Sequence, residues 1–598
     1  MLRRGPETMP RDRVGTLLNA AALIAIGWSF VVLVTGGFRW QISTVLRISS
    51  TNSLRPLLIG LICGGAGWYA APQRTAVLVR GIERAIMRWT PATVAATAVV
   101  VLWMGAGYGT HAASGSDSYG YVSQADLWLE GRLKTDQRWL DLGPPFDDFV
   151  FSPLGYRPSR TAHVIVPTYS PGLPLMMAAA KFAGGMEALY TVVPVLGALV
   201  ITLTFVLGCL LFDNLVGMAA CMLLAASPTF LSQLVWPMSD VPASAAWTLA
   251  LIFGIVGRPF AAGLASTLAI VIRPNLAPLA VAVAVIACID ATPEGHGGWR
   301  RVLRSSVEFA AGTAPGVIAI AILNRYLYGS PLESGYGAAS TIYHVRYLTA
   351  NLARYPRWLI ETQTPFILAA FVVLARPRLL SPGAFDVRRA RVGLSAYLAL
   401  LIVPYLFYLP FDGWWYLRFL LPGFSLLLVL AAGAVRRLRV SLTPELQFAL
   451  FAITVLFVFE FELTTAQQQG VLNSRVSEQR YVVIAHDVRA ITPPNAIYLS
   501  MQHSGSLRYY THRITARYDS LPFDAVDTAV DILRARGFHP YFLLEQWEEG
   551  QFRERFKHNV DGRLDWNPVR RWNTPVPVAL YDPPLRPPAP GPSEPWRK

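Results

Sequence analysis

The stretch ALYTVVPVLGALVITLTFVLGCLL, residues 188–211, contains 24 residues and no charged side chain. An α-helix rises about 1.5 Å per residue, so a run of this length can cross the roughly 30 Å hydrocarbon core of a bilayer. Comparable apolar runs recur along the chain from Leu17 to Leu463. The pattern therefore predicts an α-helical polytopic membrane protein embedded in a lipid bilayer.

The apolar runs predict about 13 transmembrane helices. They lie at residues 17–37, 54–71, 91–108, 187–211, 215–234, 241–257, 259–272, 275–290, 305–325, 358–375, 392–410, 417–434 and 446–463. The first run is followed by GGFRW, residues 36–40, and not by a small-residue cleavage site. We therefore expect it to be a retained helix and not a cleaved signal peptide.

The composition excludes several other classes of protein. Only 15% of the 598 residues are charged, whereas about a quarter are charged in soluble proteins. The formal net charge of +15 comes mostly from arginines clustered between apolar runs, as membrane topology requires, so no nucleic-acid partner is predicted. All four cysteines fall inside apolar segments, which favours neither a disulfide framework nor a cysteine zinc site.

The arginine clusters also predict the orientation, because lysine and arginine near the ends of spans stay in the cytoplasm. The clusters occur at residues 3–13, 74–88, 300–304, 376–391 and 436–439. They place the N-terminus in the cytoplasm and three segments on the other side, at residues 109–186, at 326–357 and after 464. We expect a multi-pass protein of the bacterial inner (plasma) membrane whose C-terminal domain is periplasmic or extracellular.

Four regions are predicted along the chain. Residues 1–90 form an N-terminal extra transmembrane pair, and residues 91–463 form the main transmembrane domain with the external loop 109–186. Residues 464–582 are predicted to be a small soluble α/β domain, because apolar density falls and strand-like runs alternate with helix-like ones. Residues 583–598 are rich in proline and predicted to be disordered.

Two carboxylates stand at the external ends of apolar runs. Asp117 lies in GSDSYGY, residues 115–121, and Asp240 lies in WPMSDVPA, residues 236–243. Each can be a helix N-cap, which is the simpler interpretation. Alternatively, one acts as a general base and the pair helps to hold a divalent metal cation at a leaving phosphate. The residues alone leave both interpretations open.

Three basic residues are candidates for binding a phosphate at the same membrane face: Arg273, Arg418 and Lys134. Basic groups near lipid are costly and often mark anionic ligands, and the arginine fork fits phosphate oxygens. The alternative is that each side chain reaches toward lipid headgroups.

Several short motifs follow one another on the external face. They are Asp117-Ser118-Tyr119-Gly120-Tyr121, Gly131-Arg132-Leu133, Tyr169-Ser170-Pro171-Gly172-Leu173-Pro174, Ser239-Asp240-Val241-Pro242, Arg273-Pro274, Tyr328-Gly329-Ser330-Pro331 and Arg418-Phe419-Leu420-Leu421-Pro422. In order and placement this set resembles the GT-C membrane glycosyltransferases, particularly the dolichyl-phosphate-mannose protein mannosyltransferases (family 39) and the aminoarabinose transferases. The resemblance covers about residues 91–463.

The resemblance implies a catalytic domain that moves a sugar, with inversion, from a polyprenyl-phosphate donor to an external acceptor that is protein, lipid or glycan. It implies that Asp117 is the catalytic carboxylate, and Asp240 is kept from its position as a second catalytic candidate. Tyr119, Tyr121 and Tyr169 are then expected to bind the acceptor or the sugar. Ser118 stands where many relatives carry a second acid, so the chain departs from a paired-acid pattern there.

Two functions of other classes compete with this hypothesis. A transporter or flippase of lipid-linked saccharide typically shows repeated hydropathy and charges near the bilayer midplane, whereas the polar groups here gather at one face. A membrane-anchored assembly protein whose C-terminal region does the work would make Asp117 dispensable.

Overall fold

In the computed structural model, the structure describes residues 11–41, 47–288, 298–380, 390–438 and 442–585. All but the first three residues of the proline-rich tail predicted at 583–598 lie outside the described residues. Helices dominate the described chain as far as residue 491. A pair of antiparallel strands, β1 (Phe38–Gln41) and β2 (Arg47–Ser50), lies between the first two helices.

The first ten helices follow the apolar runs closely. They are α1 (Arg11–Thr35), α2 (Leu54–Ala70), α3 (Pro72–Tyr108), α4 (Asp117–Leu129), α5 (Gly172–Leu211), α6 (Asn214–Ala226), α7 (Pro228–Leu234), α8 (Asp240–Ile255), α9 (Pro259–Ile272) and α10 (Leu279–Cys288). Of these, only α4 lies wholly within the predicted external loop, and α5 begins in it.

The second half of the helical region ends beyond the last apolar run. Its helices are α11 (Gly298–Tyr328), α12 (Ala339–Ile342), α13 (Leu348–Gln363), α14 (Ala370–Ala375), α15 (Ser395–Leu406), α16 (Leu421–Arg436), α17 (Pro444–Gln468) and α18 (Ser474–Ile491). A 3₁₀ segment, Trp414–Leu420, leads directly into α16 and carries Arg418.

Each of the 13 predicted spans coincides with an apolar helix or a bent helix pair, but not every one is long enough to cross a bilayer. Among the described residues, six helices are long and apolar enough to cross a membrane. The number rises to eight if the pairs α6–α7 and α13–α14 each form one span. These pairs bend by 62° and 109°. The chain is therefore a multi-pass α-helical membrane protein, and the number 13 stays a prediction.

The closely spaced spans predicted at 241–257 and 259–272 are two separate helices, α8 and α9. The chain turns between them at Gly257, whose φ of +69° lies in the region that favours glycine, and Pro259 opens the next helix. Helix α9 then packs closely on α11, because a Cβ on Gly263 would lie 2.9 Å from the Cα of Gly312. Small residues allow such close approach of helices in membranes.

The external loop contains a small antiparallel sheet as well as α4. Its strands are β3 (Thr135–Asp136), β4 (Tyr156–Pro158) and β5 (Val164–Pro167), with β5 in the middle. The helix α4 is largely buried, with Val122 and Ala125 fully enclosed. The loop thus forms a packed layer above the membrane helices and fixes the position of Asp117.

The C-terminal region contains a five-stranded mixed sheet in the order β7-β6-β8-β10-β9. The strands are β6 (Ala496–Leu499), β7 (Thr515–Ala516), β8 (His539–Glu545), β9 (Arg570–Trp572) and β10 (Val578–Tyr581), and the helices are α19 (Ser504–Thr511), α20 (Val526–Ala535) and α21 (Gln546–Arg555). Strands and helices alternate along this region, as the sequence pattern predicts. That this region is a separate soluble domain stays a prediction, as do the other domain limits.

The external loop and the C-terminal region share one hydrophobic core. Leu140, Val150 and Phe151 of the loop pack in the same buried cluster as Ile497 and Phe542 of the sheet. Polar contacts reinforce this packing, since Arg508 on α19 donates to the side chain of Gln137 at 2.8 Å. The two segments, distant in sequence, therefore form a single layer over the membrane helices.

The orientation predicts which exposed positions an impermeant reagent can reach. In a variant without the four native cysteines, we expect cysteines placed at Glu130 and His558 to react with an impermeant maleimide in intact cells. A cysteine at Arg84, exposed but predicted to be cytoplasmic, should react only after lysis. Labelling at His558 that requires lysis would contradict the orientation or the number of spans between residues 130 and 558.

Candidate active site

A cavity of about 1210 Å³ opens between the membrane helices, the external loop and the C-terminal region. Six charged residues from distant parts of the sequence line it: Asp117, Asp240, Arg273, Arg418, Glu478 and Arg480. The structure thus brings together both predicted carboxylates and two of the three predicted phosphate-binding residues.

Asp117 begins helix α4, but its carboxylate does not cap that helix. No side-chain bond caps the backbone at the Ser116 N-cap. Instead, one carboxylate oxygen of Asp117 accepts from the Tyr169 hydroxyl, and the other accepts from Nη1 of Arg418 at 3.0 Å. The side chain remains 30% exposed to the cavity. Both carboxylate oxygens therefore accept hydrogen bonds from residues distant in sequence, and Asp117 does not act as a helix cap.

Asp240 begins helix α8 and forms a buried ion pair. Its Oδ1 accepts from Nη1 of Arg273 at 2.5 Å, and the two side chains are 2% and 13% exposed. No side-chain bond caps this helix at Ser239 either. Removing two charges from water is costly unless they are paired, so each residue of this pair stabilises the position of the other.

Arg418 has hydrogen-bonding capacity left over. Its Nη1 contacts Asp117 and lies 3.5 Å from the sulfur of Met238. Its Nε is buried and has no hydrogen-bond partner among the residues that the structure describes. The rings of Tyr416 and Phe419 lie 5.4 and 5.3 Å from the guanidinium carbon. The side chain as a whole is 17% exposed and lines the cavity, so an anionic ligand there can bind the accessible part of the guanidinium.

Two of the predicted tyrosines also line the cavity. The Tyr121 hydroxyl donates to Oγ of Ser239 at 2.7 Å, and its ring lies 4.6 Å from that of Tyr169. Burial raises the pKa of Tyr169 well above its usual value, and the Asp117 carboxylate raises it further. Tyr169 therefore keeps its proton and holds Asp117 as a hydrogen-bond donor.

Two predicted residues lie elsewhere. The ammonium group of Lys134 sits 4.0 Å from the ring centroid of Tyr326, outside the cavity lining. Tyr119 lies on α4 and packs against Gly505, and burial raises its pKa to about 12. Nothing in the geometry supports phosphate binding by Lys134 or sugar binding by Tyr119, so neither belongs to the site proposed below.

The predicted divalent cation does not fit the two carboxylates as they stand. Each is already paired with an arginine, and a cation would have to displace that guanidinium. Within the described ranges, no three or more His, Cys, Asp or Glu side chains cluster closely enough to hold a metal ion. No step proposed below uses a metal.

Sequence reasoning missed two other parts of the cavity wall. One is aromatic and comes from three segments: Tyr336, Tyr343, Tyr405, Tyr408, Phe411, Trp414, Trp415, Tyr416 and Phe419. The density of aromatic residues ahead of Arg418 was a signal for it. The other is polar and comes from the C-terminal region, with Glu478, Tyr481 and Gln502. No local pattern marked those residues, because only tertiary folding brings them to Asp117.

The arrangement of membrane helices, external loop and C-terminal sheet is similar in fold to ArnT, a member of the GT-C superfamily that the motifs resemble. The crystal structure of ArnT from Cupriavidus metallidurans in the apo state is 14% identical, with a TM-score of 0.50. It aligns over 83% of this chain and 98% of that chain. At this identity the likeness concerns the fold alone.

Two further solved structures are similar over most of the chain. ArnT bound to undecaprenyl phosphate is 14% identical over 82% of this chain and 98% of that chain, with a TM-score of 0.49. The apo oligosaccharyltransferase of Archaeoglobus fulgidus is 12% identical, also with a TM-score of 0.49. It aligns over 83% of this chain and 74% of that chain. No family model matches the chain, and no curated protein matches it in sequence.

The buried ion pair predicts a difference in stability between two matched variants. Asp240→Asn leaves Arg273 charged and without its partner, so we expect a loss of about 3 to 5 kcal/mol in the free energy of unfolding. Asp117→Asn should cost less, because its carboxylate is more exposed.

Thermal unfolding of both variants in detergent measures the difference. The double variant Asp240→Asn with Arg273→Gln removes both charges and should recover part of the loss. Equal melting temperatures for the two single variants would show that the Asp240 pair does not hold the cavity wall together.

Proposed function

We propose that this chain is a membrane glycosyltransferase that moves a sugar from a polyprenyl-phosphate donor to an acceptor hydroxyl. One observation carries the proposal: a partly exposed carboxylate, Asp117, shares a cavity with two arginines, Arg273 and Arg418. The reaction needs a base for the acceptor and cations for the leaving phosphate, and this cavity holds both. The likeness of fold to ArnT supports the same class of activity.

The donor phosphate would lie against Arg418. Its side chain is partly exposed in the cavity, and arginine offers several donors in a planar fork that matches phosphate oxygens. Apolar residues of α11 also line the cavity, among them Ile320, Leu323 and Leu327. A prenyl chain can lie along such a surface while its phosphate stays in the polar part of the cavity.

The reaction would be a single displacement. The acceptor oxygen attacks the anomeric carbon and forms the new glycosidic bond while the bond from that carbon to the phosphate oxygen breaks. The electron pair of the broken bond goes to the phosphate, and the hydroxyl proton goes to Asp117. Attack opposite the leaving group inverts the anomeric configuration.

The pairing of Asp117 with Arg418 couples the two halves of this reaction. When the carboxylate takes a proton, it loses the charge that holds Arg418 at 3.0 Å. The guanidinium is then free to stabilise the charge that develops on the leaving phosphate, which is where electrostatic catalysis is most effective. Tyr169 holds the other oxygen of Asp117 and keeps the carboxylate oriented.

The location of the site supports a role in the cell envelope. The cavity lies at the end of the membrane helices that the arginine pattern places outside the cytoplasm. We therefore place the reaction at the external face of the bacterial inner membrane, with the donor held in the outer leaflet. A flippase of lipid-linked saccharide remains the competing function that the experiments must separate.

Asp117→Asn tests the base directly. Asparagine has almost the same volume, so folding and lipid binding should persist. We expect the rate of transfer to fall by roughly a hundredfold to ten-thousandfold, as for the loss of a general base. The measurement is release of undecaprenyl phosphate by purified protein from a panel of undecaprenyl-phosphate sugars, with membrane extract as the acceptor source.

Transfer at the wild-type rate by Asp117→Asn would refute the mechanism. If the wild type releases no undecaprenyl phosphate from any donor but moves lipid-linked saccharide between the leaflets of proteoliposomes, the flippase is the correct function.

Arg418 should determine affinity for the lipid phosphate. Loss of a hydrogen bond to a charged group costs about 1.5 to 3 kcal/mol, so Arg418→Ala should weaken binding of undecaprenyl phosphate roughly tenfold to a hundredfold. Arg418→Lys should restore only part of the affinity, since a lysine lacks the fork. Arg346→Ala, in an external segment away from the cavity, is the control. Equal affinity in all four proteins would mean that Arg418 does not bind the phosphate.

A further inference from the structure

The wall of the cavity that comes from the C-terminal region lies against the turn that carries Asp117. Helix α18 supplies Glu478 and Tyr481, and the loop after β6 supplies Gln502. A Cβ placed on Gly115 would lie 3.3 Å from Nε2 of Gln502 and 4.0 Å from the Tyr481 hydroxyl. Any molecule that reaches Asp117 from the water side meets this wall.

The Tyr481 hydroxyl is a hydrogen-bond donor without an acceptor. Its oxygen accepts from Nη2 of Arg480 at 2.9 Å and from Nε2 of Gln502 at 3.0 Å. The two accepted hydrogen bonds occupy the lone pairs of the phenol oxygen, so the hydroxyl can form a further hydrogen bond only as a donor. The side chain is 1% exposed, and among the described residues no acceptor receives that proton.

Arg480 does not offer a positive charge to a ligand. Its Nε and Nη2 donate to Oε1 of Glu545 at 3.1 and 2.9 Å, and its Nη1 donates to Oε1 of Glu478 at 3.1 Å. Burial lowers the pKa of the neighbouring His503, so that imidazole is neutral near pH 7. Two carboxylates therefore surround one guanidinium, and the wall carries no free cation.

This polarity is opposite to that of the donor end. Arg273 and Arg418 come from the ends of the membrane helices, where a phosphate is expected, whereas Glu478 and Tyr481 come from the C-terminal region. A phosphate-bearing acceptor would find only Arg480 at this wall, and its charge is already paired with two carboxylates. A hydroxyl group of an acceptor both donates and accepts hydrogen bonds. It can accept one from the Tyr481 hydroxyl and donate one to the Glu478 carboxylate.

We infer that this wall is the acceptor subsite and that the acceptor is an uncharged sugar of a glycan, bound through its hydroxyls by Tyr481 and Glu478. The inference rests on the proposed function and adds the chemical class of its second substrate. Arg480 acts as a positioning residue, because it fixes Glu478 and the Tyr481 hydroxyl without a free donor of its own.

The test measures binding of defined probes to the full-length protein in nanodiscs. The probes are three neutral disaccharides, cellobiose, mannobiose and galactobiose, together with undecaprenyl phosphate in a separate titration. The cavity-lining tryptophans Trp236, Trp414 and Trp415 provide a fluorescence signal. We expect at least one disaccharide to bind saturably, and Tyr481→Phe to weaken it about threefold to tenfold, as for one neutral hydrogen bond.

A matched control exists in the same region. The Tyr581 hydroxyl also accepts from an arginine, Arg571 at 3.2 Å, but lies away from the cavity, so Tyr581→Phe should leave disaccharide binding unchanged. Thermal unfolding checks that both variants are folded. Undecaprenyl phosphate should bind Tyr481→Phe and wild type equally.

Two results would overturn the inference: none of the disaccharides binds the wild type, or Tyr481→Phe binds them as well as the wild type does. In either case, retained affinity for undecaprenyl phosphate would leave the proposed function standing. Failure of the wild type to bind undecaprenyl phosphate would instead count against the proposed function, whatever the disaccharides do.

Discussion

Pairing of charge in a low-dielectric cavity is the constraint on which this structure depends. Asp117 and Arg418 are 301 positions apart, and Asp240 and Arg273 are 33 apart, yet each pair closes to hydrogen-bonding distance at one membrane face. Unpaired charges there would cost several kcal/mol each, so the helices that carry them must meet. The first pair joins the external loop, through Asp117 at the start of α4, to the 3₁₀ segment Trp414–Leu420. The first pair also holds the Asp117 carboxylate in place.

The helices could be located from sequence because the bilayer imposes a length and a polarity that a one-dimensional pattern records. The pattern fails where helices continue outside the lipid. Helix α3 extends to Pro72 through the basic residues that precede its apolar run. In α5 the backbone is non-helical at Gly184 and Gly185, so a separate helical part from Gly172 precedes the predicted span. Hydropathy also overlooks bends, so α13 and α14 were joined into one predicted span although they meet at 109°.

The candidate site was partly predictable for a similar reason. Asp117, Asp240, Arg273 and Arg418 are conspicuous because charge at the end of an apolar run is costly and calls for an explanation. Lys134 was predicted on the same grounds, but its ammonium group lies over the ring of Tyr326. The sequence could not show this, because a flexible lysine side chain can reach any of several neighbours. Tyr481 and Gln502 could not be found, because polar residues in a polar segment are ordinary until folding places them beside Gly115.

The hydrophobic core shared by the external loop and the C-terminal sheet has a consequence for biogenesis. Phe151 packs with Ile497, and roughly 350 residues of chain, including many membrane helices, are made between them. At about 5 to 20 residues per second, that synthesis takes on the order of 20 to 70 s. Throughout this interval the loop lacks the partner for its apolar side chains. Asp117 is therefore synthesised early and the C-terminal region that covers it is synthesised last, so the cavity is completed only near the end of translation.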